Sequence, residues 1–207
     1  MKLIIASHNK GKITEFTNYL TPLGFEVSSL LDYPQIQEVE EIGQTFEENA
    51  RLKAETMAEA MQVFTLADDS GLVVPSLNGE PGIYSARYGG EEKDDTANNE
   101  KLLKNLVNKS RQQRQAYFVS CLVLAYPGVP SLVAHGQIKG EIITEYRGKN
   151  GFGYDPIFYV EEKGQTLAEM TLEEKNQGSH RALALDNLIK NIPVWLEELG
   201  NESFSNE

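Results

Sequence analysis

At 207 residues, with 40% apolar and 24% charged residues, the chain is long enough to bury one sizeable core and reads as a single globular domain with room for two lobes. Its formal net charge of −12 argues against a general binder of nucleic acid or of anionic membranes. The same balance still allows a small anion held by a few local cations and a metal.

Lys2 to Ala6 reads as a buried strand, and its apolar run is too short for a secretory signal. Ser7-His8-Asn9-Lys10-Gly11-Lys12 is a polar, glycine-bearing turn. It leads into a helix with Ile13, Phe16, Leu20 and Leu23 at helical spacing, ending near Pro22-Leu23-Gly24. Strand, loop and helix start together offer backbone N–H groups and a positive helix end to an anion, although the P-loop spacing is absent. Phe25 to Ser29 reads as a second strand. In the acidic stretch that follows, Gln37 to Gly43, most side chains are expected to be solvated; the chemical alternative is that Glu40 or Glu41 reaches a metal.

Thr45-Phe46-Glu47-Glu48 is a capping box, starting a helix with Phe46, Ala50, Ala54, Met57 and Met61 on one stripe. Asn49 and Lys53 flank that stripe, and Lys53 is expected to snorkel to solvent rather than project into a cleft. Next comes Ala67-Asp68-Asp69-Ser70-Gly71-Leu72, two adjacent carboxylates between apolar runs. Neighbours on a strand point to opposite faces, so a turn at Ser70-Gly71 is expected to bring both carboxylates to one rim. Such a pair suits a hard cation and water activation; it also suits ordinary turn chemistry.

Residues 78–90 form a long glycine-rich loop holding Tyr84, Arg87 and Tyr88. Thr96 to Val107 reads as a helix with Leu102, Leu103, Leu106 and Val107 inward. Ala116 to Tyr126 and Ser131 to Tyr146 read as long strands around Pro127-Gly128-Val129-Pro130, an antiparallel ribbon suited to a second lobe. The first of them is apolar on both sides, hence covered on both faces. It carries Cys121, the single cysteine, which reads as a core thiol, excludes an intrachain disulfide and suits a reducing cytoplasm. Val119 to Tyr126, the longest largely apolar run, is well short of a membrane span. The glycines flanking Phe152 allow tight backbone beside a flat ring, and aromatic rings stack on nucleobases. Thr171-Leu172-Glu173-Glu174 is a second capping box, before a short helix with Lys175. Ser179-His180-Arg181 opens the last helix, with Leu185, Leu188, Ile189 and Ile192 inward. Pro193 breaks or restarts that helix, Trp195, Leu196 and Leu199 continue it, and residues 201–207 read as a polar tail.

Six motifs stand in order: Ser-x-Asn-x-Gly-Lys at 7–12, Phe46-x-x-Asn49-Ala50-x-x-Lys53-Ala54, Ala67-Asp68-Asp69-Ser70-Gly71-Leu72, Pro81-Gly82-Ile83-Tyr84-Ser85-Ala86-Arg87-Tyr88, Gly151-Phe152-Gly153-Tyr154-Asp155-Pro156-Ile157-Phe158 and Ser179-His180-Arg181. Together they closely resemble the inosine/xanthosine triphosphate pyrophosphatases, a house-cleaning family acting on noncanonical purine nucleoside triphosphates. The resemblance runs from residue 3 to about residue 190. It implies an α/β fold with a long, twisted mixed sheet flanked by helices and two lobes around a central cleft, and a homodimer. The single domain reads as residues 1–200, and the short N-terminal apolar run, the lone cysteine and the lack of a membrane-length run read as a cytoplasmic protein. It implies hydrolysis of ITP, dITP and XTP to the monophosphate and pyrophosphate with Mg²⁺. By position, Ser7, His8, Asn9, Lys10, Gly11 and Lys12 would form the triphosphate loop, with His8 at a position that varies in the family. Lys53 and Lys175 would add phosphate contacts, with Ser70 beside them. Phe152, Gly153, Tyr154 and Asp155 would hold the base, with Phe152 stacking, and His180 and Arg181 would reach the purine edge. Asp69 would be general base and metal ligand, Glu40 the other ligand, and Asp68 a supporting residue.

The chemistry agrees with those roles. Lys10, Lys12, Lys53, Lys175 and Arg181 would have to converge from separate segments to offset a triphosphate. Donors at Arg181, His180 or the 152–155 backbone would pair with a 6-oxo group and be left unpaired by adenine, a difference worth factors of about 10⁴. Three other readings stand behind this one: a pyrophosphatase for modified pyrimidine triphosphates, a non-catalytic nucleotide-binding module, and a structural protein whose motifs are turns and caps.

Overall fold

The computed structural model describes residues 1–37, 39–90 and 94–203, with side chains to residue 198. In chain order the elements are β1 (Lys2–Ile5), α1 (Lys10–Leu20), β2 (Glu26–Ser29), α2 (Phe46–Met61), β3 (Phe64–Val73), α3 (Asp95–Asn105), β4 (Gln115–Ala125), β5 (Leu132–Ile142), β6 (Phe158–Val160), β7 (Gln165–Thr166), α4 (Leu172–Asn176) and α5 (His180–Ser203). The strands form one sheet in the order β2-β1-β3-β4-β5-β6-β7. β1 runs parallel to both β2 and β3, while β6 runs antiparallel to both β5 and β7, so the α/β sheet is mixed.

Local chemistry sets the helix starts. Asn9 caps α1 by accepting from the Lys12 N–H, and Gly24 closes the following 3₁₀ turn in the left-handed conformation at φ 87°. Thr45 caps α2 through the Glu48 N–H, but the reciprocal Glu48 carboxylate reaches one residue further, to the Gln44 N–H at 2.6 Å. The capping box at Thr171 and Glu174 is complete.

The chain packs as two compact units. One comprises Met1–Asp69, Cys121–Gly136 and the stretch from Leu183; the other comprises Ser70–Ser120 and Gln137–Ala182. The first has two apolar clusters. Leu3, Ile5, Phe16, Leu20, Leu66, Leu122 and Leu124 pack with Leu185 and Leu188, and Ile4, Ala50, Ala54, Met57, Ala67, Cys121 and Val123 form the other. Odd and even positions of β1, β3 and β4 thus serve different clusters, as expected for strands covered on both faces. In the second unit, Leu72, Tyr88, Leu102, Leu106, Phe118, Tyr154 and Phe158 form one core.

Several expectations are corrected. No turn occurs at Ser70-Gly71, because β3 continues through both residues to Val73. Pro193 lies inside a continuous α5; its ring removes one backbone donor without ending the helix. That helix reaches Ser203, so residues 204–207 of the predicted tail, and the side chains from Leu199 onward, lie outside the described residues. Val107 does not face inward: it follows the end of α3 and is 67% exposed. Segment 78–90 is folded into a 3₁₀ stretch over Gly82–Arg87, and α3 pins it through Lys101 Nζ on the Tyr88 carbonyl at 2.6 Å and Asn105 Nδ2 on the Tyr88 hydroxyl at 2.8 Å. β6 and β7 were not foreseen, being too short for their alternation to register. Among the described residues, no helix is long and apolar enough to cross a membrane.

Candidate active site

The alternation of β3 organises the first cluster. Leu66 and Asp68 share one face of the strand and Ala67 and Asp69 the other. On the first face Lys12, from the start of α1, sets its ammonium 2.8 Å from Asp68 Oδ2. On the other face α2 presents two residues one helical turn apart. Asn49 Nδ2 donates to Asp69 Oδ2 at 3.1 Å, and Lys53 Nζ lies 3.8 Å from Asp69 Oδ1. The two lysines meet at one atom, since both donate to the Asp68 carbonyl, Lys53 at 2.9 Å and Lys12 at 3.4 Å. Adjacent aspartates therefore join one cluster without a turn, because each face brings its own lysine.

Lys53 does not snorkel. It is 4% exposed, with its ammonium 2.6 Å from Glu41 Oε1. Of the two acidic candidates, Glu41 is thus the one inside the cluster, while Glu40 is exposed. Burial works against a charged Lys53, but the carboxylates of Asp69, Glu41 and Asp68 outweigh it and hold its pKa above the ordinary lysine value. Burial also acts on Asp69, pushing its carboxyl up to about 6 against the pull of Lys53 and Lys12, with Glu41 and Asp68 adding to the rise. Asp69 is therefore a buried carboxylate whose neighbours do not fully stabilise its charge. Glu41 and Asp69 both meet the Lys53 ammonium, so two carboxylates stand at one point, and oxygen ligands of that kind suit a hard divalent cation. Among the described residues no group of three or more His, Cys, Asp or Glu side chains is arranged to hold a metal by itself. Two carboxylates at one point fit a hard divalent cation that completes its shell with water.

In the loop before α1, the Ser7 hydroxyl accepts from the Asn9 N–H at 3.1 Å, and Asn9 in turn caps the helix. Ser7 is buried, His8 and Gly11 half-buried, and Lys10 exposed.

The second unit carries a different cluster. Lys175, from α4, pairs with Asp155 at 2.8 Å, and both residues are 4% exposed. The same Asp155 oxygen accepts the Phe152 N–H at 3.1 Å. Gly151 at φ 78° is required between them, since a Cβ there would lie 2.0 Å from Asp155 Oδ2. The half-buried Phe152 ring has Arg181 Cζ 5.0 Å and Lys175 Nζ 5.6 Å from its centroid. Arg181 Nη2 donates to the Ser70 hydroxyl at 2.9 Å. His180 is buried and stacks on Phe118 with centroids 4.7 Å apart.

Not every residue of the 152–155 loop is disposed as expected. Tyr154 is a core residue whose hydroxyl donates to the Ser85 carbonyl at 2.8 Å, and burial raises its pKa above the ordinary tyrosine value. The Phe152 N–H is engaged by Asp155 and the Gly153 N–H by Asp95 Oδ2 at 2.7 Å. Asn99 Nδ2 holds the Gly153 carbonyl at 3.0 Å, so α3 grips both sides of that residue. Asp95 and Asn99 were not foreseen, and nothing in their spacing marks them apart from an ordinary polar helix face.

The model of the Ham1 family matches residues 3–191. The chain belongs to the Ham1 family. Among its Ham1 relatives, the dITP/XTP pyrophosphatase of Halalkalibacterium halodurans is 52% identical over 194 residues, covering 94% of this chain and 98% of the relative. The dITP/XTP pyrophosphatase of Bacillus subtilis is 50% identical over 187 residues, covering 90% and 94%. The solved Ham1 protein of Staphylococcus aureus superposes with a TM-score of 0.80 at 45% identity, covering 96% of this chain and 99% of that one. The Ham1 protein of Coxiella burnetii gives 0.83 at 38% identity, covering 93% and 98%. The mixed seven-stranded sheet with its helices is thus the Ham1 fold.

Proposed function

We propose that this Ham1 chain hydrolyses ITP, dITP and XTP to the nucleoside monophosphate and pyrophosphate, with residues 1–200 acting as one catalytic domain in a cytoplasmic homodimer. The observation that carries the reading is the buried Asp69 carboxylate, set among Lys12, Lys53 and Glu41 in a protein whose relatives are dITP/XTP pyrophosphatases.

Asp69 takes the proton of the attacking water. The water oxygen bonds to the α-phosphorus, and the bond from that phosphorus to the bridging oxygen breaks. Pyrophosphate leaves with the electron pair, stabilised by the cationic side chains. Lys12 and Lys53 are anchored to carboxylates and to the Asp68 carbonyl, so they are held for phosphate rather than searching for it. Lys10 and the N-terminal end of α1 add positive potential for the same anion. Mg²⁺, held by Asp69 and Glu41, would supply charge neutralisation and an acidified water.

Phe152 offers the ring for the base, and Arg181 the donor for its 6-oxo edge. The backbone donors of Phe152 and Gly153 are engaged within the protein, which leaves side chains to read the base. Phe152→Ala is expected to raise KM for dITP roughly tenfold or more, the worth of one stacked base, with kcat largely kept. A loss confined to kcat would contradict the stacking role.

The decisive experiment is pyrophosphate release across inosine, xanthosine, guanosine, adenosine and pyrimidine triphosphates, with and without Mg²⁺. Preference for the inosine and xanthosine substrates, lost with chelator, is the expected result. Preference for a modified pyrimidine, or binding without release, would replace the reading.

A further inference from the structure

Asn49 lies outside the set of residues assigned to substrate or metal, yet it is 1% exposed and spends both ends of its amide. Its Oδ1 accepts the Gly43 N–H at 2.8 Å and its Nδ2 donates to Asp69 Oδ2 at 3.1 Å. A backbone N–H can only donate, so the atom facing Gly43 must be the oxygen, and the nitrogen must face Asp69. One oxygen of Asp69 is thereby occupied by a fixed donor. The other, Oδ1, is the one turned toward Lys53 at 3.8 Å.

The contact with Gly43 is built closely. A Cβ at that position would stand 2.7 Å from Asn49 Oδ1 and 2.7 Å from Glu48 Cβ, so any side chain there displaces the amide. Two residues before Gly43, Glu41 reaches Lys53, one helical turn beyond Asn49. A single buried amide therefore ties three segments together: the acidic loop, α2 and β3. A packing role alone would not need a donor on one side and an acceptor on the other.

We infer that Asn49 is a positioning residue. It holds Asp69 in one orientation, leaves Oδ1 as the oxygen available to the reacting water, and seats the loop that delivers Glu41. The inference rests on Asp69 being the general base. The test compares Asn49→Ala, which removes the amide, with Gly43→Ala, which keeps the amide and pushes it aside. For both, kcat for dITP should fall roughly 10- to 100-fold while KM changes little. Mn²⁺ affinity of the metal-free protein, followed by the EPR signal of the free ion, should weaken by roughly the same 10- to 100-fold, a readout independent of turnover. Unchanged kcat and unchanged Mn²⁺ affinity in both variants would overturn the inference, as would a loss seen only in melting temperature. Wild-type protein that binds Mn²⁺ with an affinity sensitive to both substitutions, yet releases no pyrophosphate from any substrate, would overturn the reading of Asp69 as general base and the role given to Oδ1, and keep only the part in which Asn49 orients Asp69 and seats Glu41.

Discussion

Asp69→Asn should lower kcat for pyrophosphate release by about 10²- to 10⁴-fold, the range a positioned general base supplies, while triphosphate binding survives. Binding persists because Lys12 is anchored to Asp68 and Lys53 to Glu41, neither of which the substitution touches. Full activity in the variant would remove Asp69 from the chemistry. The same substitution should stabilise the metal-free protein, with a pH dependence that follows from burial. Asp69 titrates near 6 in the folded protein against an ordinary value of 3.8. A raised folded pKa means that the folded state binds more protons than the unfolded one between those values. The stability linked to that proton is present below the lower value and lost as pH rises through the upper one. The neutral amide suffers no such loss. In chelator, the variant's melting temperature should therefore exceed the wild type's at pH 8 and match it more closely at pH 4. An advantage independent of pH would mean that the charge is not its source. On the proposed reading, function and stability are opposed at this residue, because the poorly solvated carboxylate that costs stability is the one that serves as base.

Lys175→Met should cost about 3–5 kcal/mol of folding stability at neutral pH, read from the urea midpoint. Lys175 and Asp155 form an ion pair with both side chains buried, at 2.8 Å. Removing the ammonium strands a carboxylate in the interior with the Phe152 N–H among its remaining partners. A typical domain is stable by only about 5–15 kcal/mol, so the loss is a large share of the total. Combining Lys175→Met with Asp155→Asn removes the stranded charge and should recover much of the midpoint. Both variants should still bind dITP weakly, since Lys175→Met deletes the lysine proposed to meet phosphate and the Asp155 substitution alters the anchor of the Phe152 loop. A single variant as stable as the wild type would show that solvent reaches the pair.

Much of this was legible before any coordinates. Amphipathic spacing and capping chemistry placed α1, α2, α4 and the start of α5, because they depend on residues within a turn or two of one another. The paired strands β4 and β5 were legible because their apolar runs are long. The carboxylate–lysine chemistry was visible as a set of residue types in order. Its geometry was not. Lys53 was expected at the surface because a lysine flanking an apolar stripe usually snorkels; only the fold shows that three carboxylates and a carbonyl receive it. The choice between Glu40 and Glu41 was likewise undecidable, since both stand in one polar run and the reach to Lys53 depends on how that loop lies over α2.

The sequence by itself determined the family, the reaction it points to, and the residue types of the site, since these follow from motif order and local spacing. Only the tertiary structure decided which partners Asp68 and Asp69 each meet. Neighbouring side chains on a strand point to opposite faces, and what each meets depends on which helix covers that face. Here α1 brings Lys12 to one and α2 brings Asn49 and Lys53 to the other. Those partners lie many residues away along the chain, and no local pattern could have assigned them.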